Sequence, residues 1–485
     1  MKKWLLVGVA VLALGAKNND ALPPGQPMTA NDRATGAKAH PEILKEFGDA
    51  YAGPQANYVR TIGQNVAIQS GLSNSQTDFT VTLLNSPVDN AFAIPGGYVY
   101  VTRQLMALMN NEAELASVLG HEVGHVAARH SAKRNSRATK GGLIAVLATV
   151  AGSALGGSQG AKLGQSLGSN LATRYVLGFS RAQEYQADDL GVSYIAKAGY
   201  DPKASSTMLA SLAAQSALDA RVSGRGESSL PKWASTHPDP LSRVSRAAEK
   251  AASAGTTSQV RNESAFLAAL DGVLYGDDPK QGVVDGLTFR HPDLKLAFTA
   301  PNGFAVSNGT SAVTVSGSSG NAEFSGMKFE GSLSDYVKAV FKAVGGDSTP
   351  NFGEVSRSTV NGIPVAFATA NAQNQSGQQL TVTVYAYEFA ADSRFHIVGI
   401  SPAGSGSVFD PLYQSVRRLS ASEASAVKPR QVTVVTAKSG DTVQKMAERM
   451  AFSENKLDRF LVLNALSASS TLKPGQKVKV ITYGQ

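Results

Sequence analysis

The chain has 485 residues, enough for about three domains, and its 42% hydrophobic and 17% charged residues suit a packed globular body. Its formal net charge of +8 favours anionic surroundings such as a membrane surface or a cell-wall polymer, and we expect no nucleic-acid partner because no binding motif accompanies the charge. Cysteine is absent, which excludes disulfides, thiolate metal ligands, a cysteine nucleophile and a cysteine-linked lipid anchor.

The first 16 residues have the pattern of a signal peptide. Lys2 and Lys3 precede an apolar stretch, residues 4–16, which is shorter than the about 20 residues that span a bilayer. We therefore expect export to the periplasm or cell envelope. Residues 17–38 are polar and rich in Ala, Pro and Gly, and this composition predicts a flexible leader.

A mainly helical region with a small edge sheet is predicted next. Apolar residues recur at helical spacing from 40 to about 70, and two strand-like stretches follow, the second interrupted by Pro95, Gly96 and Gly97. Asn110 and Asn111 can cap a helix that starts near residue 112. The predicted strands cover 79–84 and 91–101, and the predicted helices cover 112–134, 181–198, 202–220 and 241–254.

A basic and then apolar stretch, residues 129–177, interrupts this helical region. Its first part, 129–140, carries five Lys or Arg and no acid, and residues 141–157 carry no charge. The uncharged part contains several glycines and is marginal in length for a membrane span. The pattern favours a lid over the active-site cleft or a hairpin on a membrane surface, with ordinary packing of small-residue helices as the alternative.

Two further units are predicted after residue 256. Strand-like segments between 287 and 400, with one helix at 334–344, predict an α+β domain with a largely antiparallel sheet over 262–418. A Ser- and Ala-rich linker follows at 419–431. Residues 432–485 then predict a compact βααβ unit.

The chemistry is concentrated in His121-Glu122-Val-Gly-His125. Two His residues four positions apart project from one helix face and can hold one Zn²⁺, while Glu122 can act as a general base towards water at the metal. Glu184 is the candidate third ligand, and Asp188, one helical turn later, can fix the tautomer of a zinc-bound His. By spacing alone, these two acids could equally form an exposed helix face.

These residues resemble the gluzincin family that includes the HtpX, BepA and Oma-type proteases and the CaaX prenyl endopeptidase. The resemblance is carried by four motifs in the family's order and covers about residues 40–255, so we assign 39–256 to a zinc metallopeptidase domain. The motifs lie at 90–101, 121–125, 184–188 and 236–243.

The resemblance implies roles for individual residues. It implies one Zn²⁺ per chain, held by His121, His125 and Glu184, with Glu122 as catalytic base. His237 of the Thr-His-Pro motif is implied as an extra ligand or as a stabiliser of the oxyanion, and Arg243 as a residue that holds this segment. The stretch containing Asn90, Ala93, Pro95, Gly96 and Gly97 resembles the family's edge strand and is a candidate to pair with the backbone of an extended polypeptide substrate.

The C-terminal unit, 432–485, resembles a LysM domain, which implies peptidoglycan as a partner. The resemblance is carried by Gly440-Asp441-Thr442, Leu463-Asn464-Ala-Leu466 and Leu472-Lys-Pro-Gly-Gln476.

The function predicted from all of these features is an exported zinc metalloendopeptidase that cleaves unfolded or mis-assembled envelope proteins. The alternatives are a peptidoglycan hydrolase and a protease-derived chaperone or peptidoglycan-binding scaffold with little catalysis. The intact Glu122 favours an enzyme, because a purely structural zinc site needs no base.

Overall fold

The computed structural model describes residues 27–130, 178–222, 233–345, 351–373, 377–390 and 392–484, and elements are numbered here in chain order within those ranges. The predicted signal peptide, residues 17–26 of the predicted leader and residues 131–177 of the basic-then-apolar stretch lie outside them. Among the described residues, no helix combines the length and the apolar character needed to cross a bilayer.

The first helix, α1 (Ala30–Glu46), corrects the prediction of a flexible leader for residues 30–38. Thr29 and Asp32 form a reciprocal cap, in which the Thr29 hydroxyl accepts from the Asp32 amide and the Asp32 carboxylate accepts from the Thr29 amide. The apolar side of α1 packs on the small sheet through Ile43, and Phe47 at its C-cap extends that contact. Helix α2 (Pro54–Ala67) then follows as a separate element.

The small sheet has the order β1-β3-β2, with β1 (Thr80–Leu84) parallel to β3 (Tyr98–Thr102) and β2 (Ala91–Ile94) antiparallel to β3. Strand β2 is therefore an edge strand of this sheet. The sequence Pro95-Gly96-Gly97 forms the turn between β2 and β3.

Short helix α3 (Arg103–Leu108) leads into α4 (Glu112–Ala127), which carries the His-Glu-x-x-His motif. Asn111 caps α4 by accepting a hydrogen bond from the Glu114 amide at 3.0 Å. The prediction extended α4 to residue 134. The helix instead ends at Ala127, and Arg129 adopts a left-handed conformation with φ of 53°.

Helix α5 (Arg181–Lys197) packs directly against α4. The contact requires Gly191, because a Cβ at this position would lie only 2.9 Å from the backbone nitrogen of His121. The missing side chain lets the two helix backbones approach closely enough for side chains of α5 to reach those of α4. The remaining helices of the region are α6 (Ala204–Val222), α7 (Trp233–Thr236) and α8 (Pro240–Ala252).

A predominantly β region follows and confirms the prediction of a large antiparallel sheet. Seven described strands lie in the order β11-β12-β13-β14-β10-β9-β8, and all their pairings are antiparallel. One side of the sheet packs on α10 (Leu333–Gly345). A smaller sheet of β15, β7, β6 and β5 packs on the other side.

The strands of the large sheet are β8 (Phe304–Asn308), β9 (Val313–Gly317), β10 (Gly320–Gly326), β11 (Ser356–Val360), β12 (Ile363–Gln373), β13 (Gln379–Ala390) and β14 (Ser393–Pro402). Those of the smaller sheet are β5 (Val283–Asp285), β6 (Thr288–His291), β7 (Leu296–Thr299) and β15 (Arg417–Arg418), with α11 (Asp410–Ser415) beside them.

The structure places the start of this β region later than the predicted boundary at residue 262. Helix α9 (Glu263–Leu270) and strand β4 (Leu274–Tyr275) join the peptidase region and the C-terminal unit instead, because Phe266 lies in the same hydrophobic cluster as residues of both. The predicted linker at 419–431 contains a capped helix, α12 (Ala421–Ser425), and the next strand already begins at Arg430.

The C-terminal unit has the predicted βααβ order. Strands β16 (Arg430–Thr436) and β17 (Lys477–Tyr483) are antiparallel neighbours, and they enclose α13 (Val443–Glu448) and α14 (Lys456–Leu463) in sequence. The unit is docked on the peptidase region. The ammonium of Lys479 on β17 is buried and donates to the carbonyl oxygens of Ala107 (2.8 Å), Leu108 (3.3 Å) and Met109 (2.5 Å) at the end of α3.

Candidate metal centre and active site

Helix α4 places the imidazoles of His121 and His125 one turn apart, with Glu122 beside them. All three side chains are buried. The two Nε2 atoms lie 3.0 Å from each other. Because the two Nε2 atoms face each other, the helix presents two imidazole donors to one common point.

Helix α5 contributes Glu184 and Asp188 on the same face. The Glu184 carboxylate lies 3.5 Å from His121 Nε2 and 3.5 Å from His125 Nε2. Asp188 lies on the opposite side of the His121 ring, with Oδ1 2.9 Å from Nδ1. A carboxylate can only accept there, so His121 carries its proton on Nδ1 and leaves the Nε2 lone pair directed towards the cluster.

Arg243 on α8 holds both acids of α5 in place. Its guanidinium donates to the two Asp188 oxygens at 2.8 and 2.5 Å, and its Nη1 lies 2.6 Å from Glu184 Oε2. The side chain is fully buried, so the two carboxylates are paired in a region that excludes water. Arg243, which the sequence assigned to holding the Thr-His-Pro segment, thus contacts the two α5 acids directly.

His237 follows α7 and completes the cluster. Its Nδ1 lies 3.3 Å from His121 Nε2 and 3.2 Å from each Glu184 oxygen, whereas its Nε2 lies 3.4 Å from Glu122 Oε1. Trp233 stacks on the His237 ring, with centroids 4.5 Å apart and an interplanar angle of 20°. The ring orientation of His237 is therefore fixed by packing as well as by polar contacts.

These donors fit a four-coordinate zinc ion. Four ligand atoms at the usual Zn–N distance of about 2.0–2.1 Å form a tetrahedron with edges of about 3.3 Å. Distances between the donors of His121, His125, Glu184 and His237 range from 3.0 to 3.5 Å for the measured pairs, and all four donors lie within 4.8 Å of one another. Facing imidazole lone pairs repel unless a cation lies between them, so this donor set suits a metal ion.

The protonation states of His125 and Glu184 also fit a metal site. Burial lowers the pKa of His125 well below its ordinary value, which favours the neutral ring. Although burial would raise it, the pKa of Glu184 is held far below its ordinary value by His237 and His121. Burial would lower the pKa of His121, but its bonds to Asp188 and Glu184 outweigh that and raise it to about 9. Burial raises the pKa of Glu122.

The candidate substrate strand lies beside this cluster but is itself well covered. Residues of β2, including Ala93, are buried, and β2 packs against α4. Gly96 lies in the turn under α1, where a Cβ would come 2.6 Å from the Asp32 carbonyl oxygen. Asn90 is buried where the chain enters β2. Pro95 and Gly96 thus pack on α1, whereas Gly97 lies against Asp78 and Met28.

Sequence reasoning missed further residues around the cluster, namely Phe179, Gln186, Trp233 and His130. Phe179 stacks on His125 with centroids 3.9 Å apart, and His130 and Gln186 form a hydrogen-bonded chain on the far side of the same ring. The only sequence signal was a third His five positions after His125, a spacing that does not place two residues on one helix face. The contact between His130 and His125 depends on the turn that follows α4, so the spacing of the two residues alone does not indicate it.

A buried His-Glu-x-x-His helix joined by a glutamate from a neighbouring helix defines a gluzincin-type metallopeptidase site. Residues 54–251, about two fifths of the chain, match the model of peptidase family M48. The matched residues include every donor of the cluster and the Arg243 that supports it.

Similar proteins with known names agree with this assignment. The chain is 32% identical over 196 residues to the beta-barrel assembly-enhancing protease of Yersinia pestis, covering 40% of this chain and 38% of that protein. It is 30% identical over 196 residues to the protein of the same name from Escherichia coli K12, with 40% and 38% coverage. It is 29% identical over 214 residues to the mitochondrial metalloendopeptidase OMA1 of Schizosaccharomyces pombe, with 44% and 58% coverage.

The chain thus spans less than two thirds of these relatives' length. A crystal structure from Bacteroides thetaiotaomicron VPI-5482 aligns with 34% of this chain and 59% of its own, at 13% identity and a TM-score of 0.22, which is too low to support an argument.

Proposed function

We propose that this chain is an exported zinc-dependent endopeptidase that hydrolyses peptide bonds in unfolded or mis-assembled proteins of the cell envelope. One observation carries the proposal. A cluster of four metal donors lies next to the buried carboxylate of Glu122, whose Oε1 lies 3.4 Å from His237 Nε2. A buried carboxylate in this position is unnecessary for a structural zinc site, but a hydrolase needs it as a base.

Zinc would be held by His121, His125 and Glu184, and when bound it supplies a Lewis acid that acidifies water and offsets negative charge on the scissile carbonyl oxygen. Glu122 takes the proton of the attacking water and later delivers it to the leaving amine. Asp188 and Arg243 keep the donors in place, the first through His121 and the second through both acids of α5. This division of roles accounts for every charged group in the cluster.

His237 gives the site a resting state that water cannot enter. A catalytic zinc site uses three protein donors and leaves a fourth position open, whereas a site with four protein donors is closed. His237 lies 3.3 Å from His121 Nε2 and 3.2 Å from Glu184, so it would fill that fourth position when zinc is bound. Movement of the segment that carries His237 would open the position, and the displaced ring could then stabilise the oxyanion.

The edge strand β2 is the candidate docking site for substrate. An extended polypeptide that adds to an edge strand is bound through main-chain hydrogen bonds, which carry little side-chain information. Ala93 lies in β2 and belongs to the same hydrophobic cluster as residues of α4, so substrate paired with β2 would lie near the helix that carries the cluster. Broad sequence tolerance, as suits an enzyme for misfolded proteins, follows from this mode of binding.

Envelope location is supported by the signal-peptide pattern of residues 1–16 and by the names of the two beta-barrel assembly-enhancing relatives. Residues 129–177 are the candidate contact with a membrane surface, and residues 432–485 are the candidate contact with peptidoglycan. The C-terminal unit shares a hydrophobic cluster with the peptidase region, so binding to purified peptidoglycan is best tested with the whole mature chain. Absence of cosedimentation would remove the wall contact from the proposal and leave the peptidase untouched.

The proposal is tested by degradation of casein, an unfolded substrate, by the purified mature chain. Cleavage should stop when a chelator removes the metal and should return when zinc is added back in stoichiometric amount. A chain that holds zinc and binds casein without cleaving it would instead support the alternative of a chaperone or scaffold with little catalysis.

A further inference from the structure

A chain of hydrogen bonds runs from His125 to helix α5 on the side of the ring that faces away from the donor cluster. His125 Nδ1 lies 2.9 Å from His130 Nδ1, and His130 Nε2 lies 3.0 Å from Gln186 Oε1. His130 is fully buried, and Gln186 is two residues after Glu184 on α5. The chain therefore links the second ligand on α4 to the helix that supplies the third.

We infer that His130 and Gln186 are positioning residues that set the tautomer of His125 for metal binding. The inference rests on the proposed function, since it concerns how that site is held. The direction of each bond follows from the last group. The Gln186 amide oxygen can only accept, so the proton lies on His130 Nε2. The other nitrogen of a neutral imidazole is an acceptor, so His130 Nδ1 accepts a hydrogen bond from the Nδ1–H of His125, which leaves the Nε2 lone pair of His125 for the metal.

The two imidazoles of α4 are thereby fixed in the same tautomer by different means. His121 donates its Nδ1 proton to the Asp188 carboxylate at 2.9 Å, whereas His125 donates to a neutral histidine. The hydrogen-bond chain from His125 through His130 to Gln186, called the relay below, contains no charged group and so avoids placing another carboxylate next to Glu184. Phe179 adds a second restraint, because its ring lies 3.9 Å from that of His125 at an interplanar angle of 26° and so limits rotation of the imidazole.

Gln186 determines which tautomer of His130, and therefore of His125, is favoured. If an amide NH₂ faced His130 instead, the direction of both bonds would reverse, and His125 would hold a proton on Nε2 where the metal must bind. Replacement of Gln186 by Leu gives a side chain of similar bulk that is one atom shorter and has no acceptor, so both tautomers of His130 become comparable in energy. Replacement of His130 by Phe keeps a ring of similar size and removes the relay altogether.

The experiment is a double-mutant cycle on zinc affinity, measured in the whole mature chain by competition with a chromophoric chelator. Gln186→Leu and His130→Phe should each weaken zinc binding about 10- to 100-fold, the usual effect of removing an outer partner of a ligating His. Because Gln186 acts only through His130, the double variant should be no weaker than His130→Phe alone. Gln215→Leu on α6, the same substitution away from the site, should bind zinc like the wild type.

The outcomes separate this inference from the proposed function. If the wild type binds no zinc, the proposed function fails. If the wild type binds zinc tightly and the variants bind it equally well, or if the two losses add in the double variant, the relay is overturned. Should the variants fold poorly, the imidazole nitrogen resonances of the wild type decide the matter. A protonated Nε2 on His130 supports the relay, and a protonated Nδ1 on His130 contradicts it.

Discussion

Lys479 makes the C-terminal unit a structural part of the peptidase, and its replacement by Met should show this. In Lys479→Met the carbonyl oxygens of Ala107, Leu108 and Met109 lose their buried donor. An unpaired buried acceptor costs about 1–3 kcal/mol, and the carbonyl oxygens of Ala107 and Met109 each become one, whereas Leu108 keeps the Asn110 side-chain amide, so we expect destabilisation of about 2–5 kcal/mol. Relief from burying the charge offsets part of this sum.

The assay is urea unfolding of the whole chain, followed by a probe in the peptidase region. With a urea dependence of about 2–3 kcal/mol per molar, the midpoint of that transition should fall by about 1–2 M. Lys477→Met is the matched control, because Lys477 is exposed on the same strand and should leave the midpoint unchanged. Equal midpoints for the two variants would refute the reasoning and would show that the C-terminal unit is only tethered to the peptidase.

The pH dependence of the stability difference between wild type and Lys479→Met tests the same contact in a second way. Burial lowers the pKa of Lys479 to about 7, below its value in the unfolded chain. Between pH 7 and about 10 the unfolded chain therefore binds more protons at this residue than the folded chain does, and its contribution to stability rises with pH in that window. The stability difference between wild type and Lys479→Met should thus grow from pH 7 to pH 10, whereas a difference that shrinks would contradict the assignment.

The remaining predictions concern the metal centre. Arg243→Leu removes the guanidinium that pairs with both α5 carboxylates and should weaken zinc binding by about 10- to 100-fold in a chelator competition. Arg246→Leu, which replaces a half-exposed arginine on the same helix, should not weaken it. His237→Ala should keep zinc and raise the initial rate of casein cleavage severalfold by opening the fourth position; a loss of cleavage would instead favour oxyanion stabilisation as its main role. Gly191→Ala should force α4 and α5 apart, at a cost of about 1–3 kcal/mol in the free energy of unfolding, and should weaken zinc binding. Ser193→Ala, on the same helix, should change neither stability nor zinc affinity. Equal zinc affinities for the two variants would contradict this role of Gly191.

The sequence predicted the metal helix because His121 and His125 follow helical periodicity, which is a local property. Glu184 remained ambiguous by spacing and was assigned through resemblance. The packing of α5 on α4 now explains its position physically, since Gly191 permits the close approach. His130 could not be found in this way, because it reaches His125 through the turn after α4 rather than along a helix face.

The arrangement of units was predicted less well for the same reason. The alternation of residues 477–483 indicates a strand but does not show that Lys479 inserts its ammonium into a neighbouring unit, while Lys477 on the same face stays in solvent. Helix α9 was likewise placed with the β region because it adjoins that region in sequence, although its apolar face packs on the peptidase and the C-terminal unit. Non-local docking of this kind leaves no periodic signal in a single chain.

The central claim is that Glu122 acts as the base of a zinc peptidase, and the most direct test compares wild type with Glu122→Gln at equal zinc content. Gln keeps the size of the side chain but cannot accept the proton of the attacking water. Casein cleavage should fall by about 10²- to 10⁴-fold while the zinc stoichiometry stays at one per chain. Cleavage by the zinc-loaded variant at the wild-type rate would contradict the account.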